Sequence, residues 1–191
     1  MPFSLPLKFT AILALGLALA STGHAQTVRL STTQGDIRIA LDPDKAPKSV
    51  ANFLQYVKSG HYNGVIFHRV IENFMIQTGG FTAKLDQKPT KPPIPLESLN
   101  GLLNMRGSVA MARTGNPNSA TSQFFINTVD NPSLDGDSMR EGTGYAVFGQ
   151  VIEGMDVVDK IRALPTRDAG MHQNLPVTQV LITKAIVETK K

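Results

Sequence analysis

One short stretch, Phe67–Gly80, holds most of the residues that could do chemistry. It contains a single arginine, Arg69, and a single glutamine, Gln77, among phenylalanine and methionine residues. A guanidinium offers several fixed N–H donors, and a carboxamide can both donate and accept hydrogen bonds. The stretch offers no obvious nucleophile and no cluster of metal ligands. This composition favours a site that holds an apolar group and hydrogen-bonds an amide beside it.

The same stretch predicts two short strands joined by a bend at residues 72–73. Side chains alternate between the two faces of a strand. On the second strand Met75 and Gln77 therefore share one face. Phe74 shares the other face with Ile76, unless the bend twists Phe74 round.

Length and composition narrow the class of protein. The chain has 191 residues, 41% of them hydrophobic and 18% charged, which predicts one globular domain. The net charge is +4 without a basic run of five or more residues, which disfavours nucleic-acid binding. The absence of cysteine excludes disulfides, cysteine-ligated zinc and cysteine nucleophiles. We expect no metal and no cofactor.

The N-terminus has the pattern of an export signal. Lys8 is the only charged residue before Arg29, and Ala11–Ala20 is an apolar run of ten residues. Small residues at 23 and 25 then provide a processing site. We therefore expect residues 1–25 to be a signal peptide that is cleaved after Ala25.

Cleavage would leave a single domain at 26–191, without a membrane segment. The apolar run is too short for an ordinary spanning helix, so an uncleaved membrane anchor is the weaker alternative. We expect the mature chain in the periplasm, with full secretion as the alternative.

Hydrophobic periodicity in the rest of the chain predicts a mainly β fold. Alternation predicts strands over Val28–Thr33, Asp36–Leu41, Ser108–Arg113, Ser122–Thr128, Tyr145–Val151 and Val177–Val187. Helical spacing predicts helices over Pro47–Lys58 and Met155–Leu164. Long loops are predicted over Phe81–Asn100, Asp130–Gly144 and Pro165–Pro176. With roughly eight strands and two helices the sheet edges must be hidden, which favours a closed barrel.

Several segments together resemble the cyclophilin family of peptidyl-prolyl cis-trans isomerases. The family pattern Phe-His-Arg-Val-Ile occurs at Phe67–Ile71, and Phe-Met-x-Gln occurs at Phe74–Gln77. Further matching segments are Gly107–Arg113, Ser122–Asn127, Leu134–Gly136 and Val147–Val151. The Arg113-Thr114 pair, Tyr145 and the signal segment resemble the exported bacterial branch. The resemblance implies a closed eight-stranded antiparallel β-barrel capped by two α-helices.

The resemblance also implies a reaction that needs little more than binding. Rotation about a peptide bond faces a barrier of about 18–20 kcal/mol, because resonance makes the C–N bond partly double. In the twisted state before proline, the proline nitrogen becomes pyramidal and carries a lone pair. A donor aimed at that lone pair lowers the barrier without a covalent intermediate. We assign this catalytic role to Arg69; the plainer interpretation is a surface arginine in a salt bridge.

The other family positions describe a peptide-binding groove. By resemblance, four apolar residues form a pocket for the proline ring, and two glutamines bind the substrate backbone. The backbone of two further residues pairs with the peptide, and a tyrosine supplies a wall and a donor. The pocket residues are Phe74, Met75, Phe125 and Leu134, and the two glutamines are Gln77 and Gln123. The backbone positions are Ala112 and Arg113, and the tyrosine is Tyr145.

Two positions depart from the family pattern. Arg113 stands where many relatives carry asparagine, which would add positive charge at the groove. Ser133 stands where relatives carry tryptophan or phenylalanine. Loss of that aromatic wall predicts weak binding of the cyclic peptide cyclosporin and continued turnover of small peptides.

Three other functions compete with that of an isomerase. The expected partners are proline-containing peptides and folding proteins, the expected state is a monomer, and neither nucleic acid nor membrane is expected to bind. A proline-peptide-binding chaperone with little turnover is the main alternative, and a structural barrel serving in assemblies is a third. Ser122, Asp135 and His68 invite a hydrolase, but their spacing fits no nucleophile-elbow motif.

Overall fold

The computed structural model describes Met1 and residues 26–139 and 142–188. The predicted signal segment and its cleavage site fall at residues 1–25, of which 2–25 lie outside the described residues, so both stay predictions. Within the described part of the chain, no helix is long and apolar enough to cross a membrane.

The described residues form eleven β-strands and two α-helices. The N-terminal half contains β1 (Thr27–Thr32), β2 (Gly35–Leu41), α1 (Pro47–Lys58), β3 (Val65–Ile66), β4 (Arg69–Ile71) and β5 (Met75–Thr78). The C-terminal half contains β6 (Ser108–Met111), β7 (Phe124–Asn127), β8 (Val147–Glu153), α2 (Met155–Arg162), β9 (Thr166–Ala169), β10 (His172–Pro176) and β11 (Leu181–Glu188). This confirms the mainly β prediction with two helices.

Nine of these strands form one antiparallel sheet, in the order β3-β11-β1-β2-β8-β6-β7-β5-β4. The sheet therefore has nine strands where we predicted eight, because β3 lies before Phe67, where no strand was predicted. The two end strands, β3 and β4, are consecutive in the chain and are separated by Phe67 and His68 alone. The sheet must curl to allow this, and its closure into a barrel stays a prediction.

An aromatic cluster fixes α1 against the sheet. The helix begins at Pro47, a residue suited to the first turn, and its apolar face is buried as the spacing predicts. The ring of Phe53 lies 5.1 Å from the rings of both Phe124 and Phe148, and 5.4 Å from that of Tyr62. The Tyr62 hydroxyl donates to the Ser122 carbonyl at 2.9 Å, so its buried polar end is satisfied.

The prediction of a loop over Pro165–Pro176 is wrong. Residues in this segment pair as the hairpin β9–β10, with Gly170 in the turn at a φ of 58°. Strand β9 is polar and mostly exposed, and β10 has polar residues followed by the buried pair Leu175 and Pro176, so neither has the apolar alternation by which strands are recognised. It matters for the site because β10 packs beside β4, which carries Arg69.

Candidate active site

Three neighbouring strands bring the predicted arginine, glutamine and phenylalanine into one row. Arg69 on β4 lies directly opposite Gln77 on β5, and Gln77 lies directly opposite Phe125 on β7. Directly paired residues of antiparallel strands point to the same face. The register of the sheet therefore places a cation, an amide and an aromatic ring side by side.

These residues surround a cavity of about 90 Å³, which we call the proline cavity. Nine of the ten predicted site residues line it: Arg69, Phe74, Met75, Gln77, Ala112, Arg113, Phe125, Leu134 and Tyr145. The tenth, Gln123, holds Gln77 by a hydrogen bond of 2.8 Å between its Oε1 and the Gln77 Nε2. The sequence thus predicted a set of residues that the fold brings together from five separate segments.

Phe74 reaches the cavity because the bend twists it round. It lies in the turn before β5, where its N–H donates to the Ile71 carbonyl at 3.1 Å. Phe74 and Met75 therefore both face the cavity although they are neighbours in the chain. Ile76 points the other way and is fully buried in the main core.

The guanidinium of Arg69 is held loosely. Its Nη1 donates to Gln77 Oε1 at 3.4 Å, which is long for such a bond. Among the described residues, Arg69 takes part in none of the ion pairs. The structural alternative of a surface arginine in a salt bridge is therefore not supported, and most of its N–H groups can serve a ligand.

Arg113 and Tyr145 line the proline cavity together. The Arg113 guanidinium lies over the Tyr145 ring at 4.5 Å and donates to the carbonyls of Gly144 and Thr143. The Tyr145 ring in turn meets the Phe125 ring edge-on, with centroids 5.6 Å apart. Arg113 thus adds charge at the groove, as predicted, and also fixes the loop before Tyr145. Ser133 is exposed and does not line the proline cavity.

A buried polar network behind the cavity was missed from the sequence. Asp135 Oδ1 accepts from the backbone N–H of Asn104 at 2.7 Å and from its side-chain amide at 2.9 Å. The Asn127 side chain donates to Asn104 Oδ1 at 3.2 Å, and Asn131 donates to Asn127 Oδ1 at 2.7 Å. Asn131 also donates to the Phe74 carbonyl at 2.8 Å, which ties the network to the cavity. Scattered asparagines carry no local pattern, so sequence periodicity offered no signal for it.

The residues of the hydrolase alternative belong to separate hydrogen-bond networks. Ser122 Oγ donates to the Gly79 carbonyl at 2.8 Å, whereas Asp135 is engaged with Asn104. His68 packs its ring 4.8 Å from that of Phe81. The structure does not assemble these three side chains into a triad. Among the described residues, no three His, Asp or Glu side chains are grouped to hold a metal ion.

His68 is a buried histidine beside the site. Its side chain is 5% exposed, and its ring lies 6.5 Å from the ring of His172. Burial, and next the charge of His172, lower the pKa of His68 to about 4. At pH values between about 4 and 6.5, His68 is therefore mostly neutral in the folded protein, whereas a histidine in the unfolded chain, with a pKa of 6.5, is mostly protonated.

This shift predicts acid sensitivity. Between pH 6.5 and 4 the unfolded chain binds more protons at His68 than the folded chain does, so stability falls as the pH falls. From pH 7 to pH 5 we expect a loss of about 2 kcal/mol from this residue. Urea unfolding at both pH values, with His68→Gln as the matched non-titrating variant, measures it. An equal pH dependence in the two proteins would contradict the assignment.

Comparison with known proteins agrees with this geometry. The fold is β-rich, and its small cavity joins an arginine and a glutamine to aromatic and aliphatic side chains. Residues 27–187 match the family described as cyclophilin type peptidyl-prolyl cis-trans isomerase/CLD, so the chain belongs to the cyclophilin-type peptidyl-prolyl cis-trans isomerases. The predicted resemblance is confirmed.

Named relatives support the activity. The chain is 53% identical over 184 residues to a peptidyl-prolyl cis-trans isomerase of Acinetobacter baylyi, covering 96% of this chain and 97% of the relative. It is 54% identical over 162 residues to peptidyl-prolyl cis-trans isomerase B of Escherichia coli, covering 84% and 98%. A crystal structure of a cyclophilin type isomerase from Cryptosporidium parvum matches with a TM-score of 0.73 at 27% identity, covering 88% of this chain and 100% of that chain. The protein is a peptidyl-prolyl cis-trans isomerase acting on proline-containing peptides and proteins.

Proposed function

We propose that Arg69 drives the isomerisation by donating a hydrogen bond to the proline nitrogen in the twisted amide. The observation that carries this proposal is the position of Arg69 at a small cavity with Phe74, Met75, Phe125 and Leu134, its guanidinium free of ion pairs among the described residues. The proline ring would occupy the cavity against Phe125 and Met75. The residue before proline would then place its carbonyl within reach of the groove amides.

The groove holds one side of the bond still while the other side turns. The Gln77 and Gln123 amides are joined to each other, which fixes the orientation of both. Ala112 follows β6 and its N–H already donates to the Gln123 carbonyl at 3.0 Å, so its own carbonyl is the group that faces a peptide backbone. A fixed backbone on one side and a seated ring on the other restrict motion to rotation about the bond between them. This is binding that strengthens towards the transition state.

A coupled isomerisation assay on short X–Pro peptides tests the proposal. Wild type is expected to accelerate exchange without added metal, nucleotide or other cofactor. Saturable binding of the peptide without acceleration would instead favour the chaperone alternative, in which the groove holds proline segments with little turnover.

We also propose that the mature protein works as a monomer outside the cytoplasm, most simply in the periplasm. The support is the sequence pattern of the first 25 residues and the lack of heptads or a leftover apolar helix face. Intact mass of the exported protein tests the cleavage, and light scattering tests the monomer. A mature mass that includes residues 1–25 would contradict the first part.

Replacing Arg113 with asparagine should reveal its part in substrate preference. The variant loses the cation over Tyr145 and the bonds to the carbonyls of residues 143 and 144. We expect KM to rise about two- to fivefold, most for peptides with an acidic residue beside proline, with kcat little changed. A peptide panel at low and high salt measures this, and equal effects on acidic and basic peptides would contradict it.

A further inference from the structure

A second cavity shares Arg69 with the proline cavity. It has a volume of about 500 Å³ and lies between the β9–β10 hairpin and the loop at residues 81–87. We call it the flanking cavity; its lining residues include Phe81, Leu85, Gln123, Met171 and His172. Gln123 accepts from Gln77, so the two cavities are linked by one hydrogen-bonded row as well as by Arg69.

The walls of the flanking cavity combine apolar and polar groups: Phe81, Leu85 and Met171 supply apolar surface, and the other lining residues are one arginine, two histidines and three glutamines. The Phe81 ring lies 4.8 Å from the ring of His68 and 4.7 Å from that of His172, edge-on to both. Met171 at the tip of the hairpin is 97% exposed, although methionine is an apolar side chain. No carboxylate is among the residues that line this cavity. A thioether beside aromatic rings is a surface that favours contact with another aromatic group.

Backbone strain lies at the same place. Among the described residues, two that are not glycine have positive φ: Leu85 at 67°, which lines the cavity, and Asn174 at 55°, which follows its wall. A branched side chain such as leucine rarely adopts this conformation. The turn that holds Leu85 is closed by its N–H to the Thr82 carbonyl at 2.9 Å and by the Thr82 N–H to the Asp86 carbonyl at 3.0 Å. Such strain is concentrated at ligand-binding positions in folded proteins.

We propose that the flanking cavity is a second substrate subsite, which takes an aromatic or large apolar side chain of the peptide close to its proline. This rests on the proposed function of Arg69, because the same guanidinium borders both cavities. An extended peptide advances about 3.3 Å per residue, so a residue within two or three positions of the proline reaches past Arg69. Its side chain would cover the exposed side chain of Met171 and the side chain of Leu85, which the strained backbone places at the cavity.

The test is a set of peptides with one proline, in which a single phenylalanine is placed in turn at each of two positions on either side of the X–Pro pair. All other positions are alanine. Wild type is expected to prefer one phenylalanine position over the all-alanine peptide by about three- to tenfold in kcat/KM. Met171→Ser and Leu85→Gly should each remove most of that preference and leave the all-alanine rate unchanged. Glycine relieves the strain at residue 85, so this variant is expected to fold at least as well.

Leu103→Ser is the matched control, since Leu103 is 51% exposed and lies by another cavity. It should keep the phenylalanine preference. A wild type without any such preference, or a preference that both variants retain, would overturn the subsite.

The subsite and the isomerase mechanism can fail separately. If wild type does not accelerate any peptide, the mechanism at Arg69 fails. Dissociation constants of the same peptides, measured by NMR titration, then decide the subsite alone. Tighter binding of one phenylalanine peptide to wild type than to Met171→Ser supports the subsite, and equal binding overturns it.

Discussion

Replacing Arg69 with alanine is expected to lower kcat/KM for a short X–Pro peptide by a factor of about 10² to 10³. That is the usual cost of removing one donor aimed at charge that develops in a transition state. Before rotation, the proline nitrogen shares its lone pair with the carbonyl and accepts poorly. The bond from Arg69 therefore gains strength as the amide twists, and its loss should appear in kcat with little change in peptide affinity.

Two control measurements separate a catalytic role of Arg69 from a role in folding. Arg69→Lys keeps the charge without the planar fork, and it should recover part of the rate. Thermal unfolding should be nearly unchanged in Arg69→Ala, because the side chain makes one long hydrogen bond of 3.4 Å among the described residues. The catalytic assignment fails if Arg69→Ala keeps full activity. If the whole loss lies in KM, Arg69 binds substrate and does not stabilise the twisted state.

The candidate site residues could be predicted because they occur in short segments of sequence that match a family pattern. Arg69, Gln77 and Phe125 lie in segments that match the family pattern, and pairing of their strands brings the side chains into one row. Alternation could not decide which face Phe74 takes. That depended on a turn whose hydrogen bonds involve Ile71, Thr128 and Asn131, and two of these are distant in the chain.

The features that were missed depend on long-range or polar pairing. The β9–β10 hairpin is held by backbone bonds between residues without apolar alternation, so its sequence resembles a loop. The short strand β3 at Val65–Ile66 was also missed; it lies just before the predicted strands of Phe67–Gly80, and its separation from β4 follows from where the sheet turns, which no local pattern specifies. Both affect the site, because the hairpin packs beside Arg69 and provides one wall of the flanking cavity.

The buried network of Asn104, Asn127, Asn131 and Asp135 carries the second large prediction. Asp135 is 7% exposed and Asn104 is 1% exposed, so water cannot replace the bonds between them. Asp135→Ala would leave the Asn104 backbone N–H and side-chain amide without their shared acceptor. Each hydrogen bond to a charged acceptor contributes about 1.5–3 kcal/mol, and a buried donor left unpaired costs a similar amount. We expect the free energy of unfolding to fall by about 3–5 kcal/mol.

Denaturant unfolding of Asp135→Ala beside Asp137→Ala measures this effect. Asp137 is two residues away and exposed, so its variant should stay within about 0.5 kcal/mol of wild type. Asp135→Asn keeps one carbonyl oxygen toward Asn104 and should fall between the two. Equal stability of the two alanine variants would show that the network contributes little.

Activity should follow the same order as stability, because the network supports both sides of the proline cavity. Asn131 holds the Phe74 carbonyl, and Leu134 directly precedes Asp135. At a temperature where Asp135→Ala is still folded, we expect its KM for the peptide to rise. Its overall secondary structure content should stay the same as that of wild type. The shape of the proline cavity thus depends on Asn104, Asn127, Asn131 and Asp135, none of which is among the residues that line it.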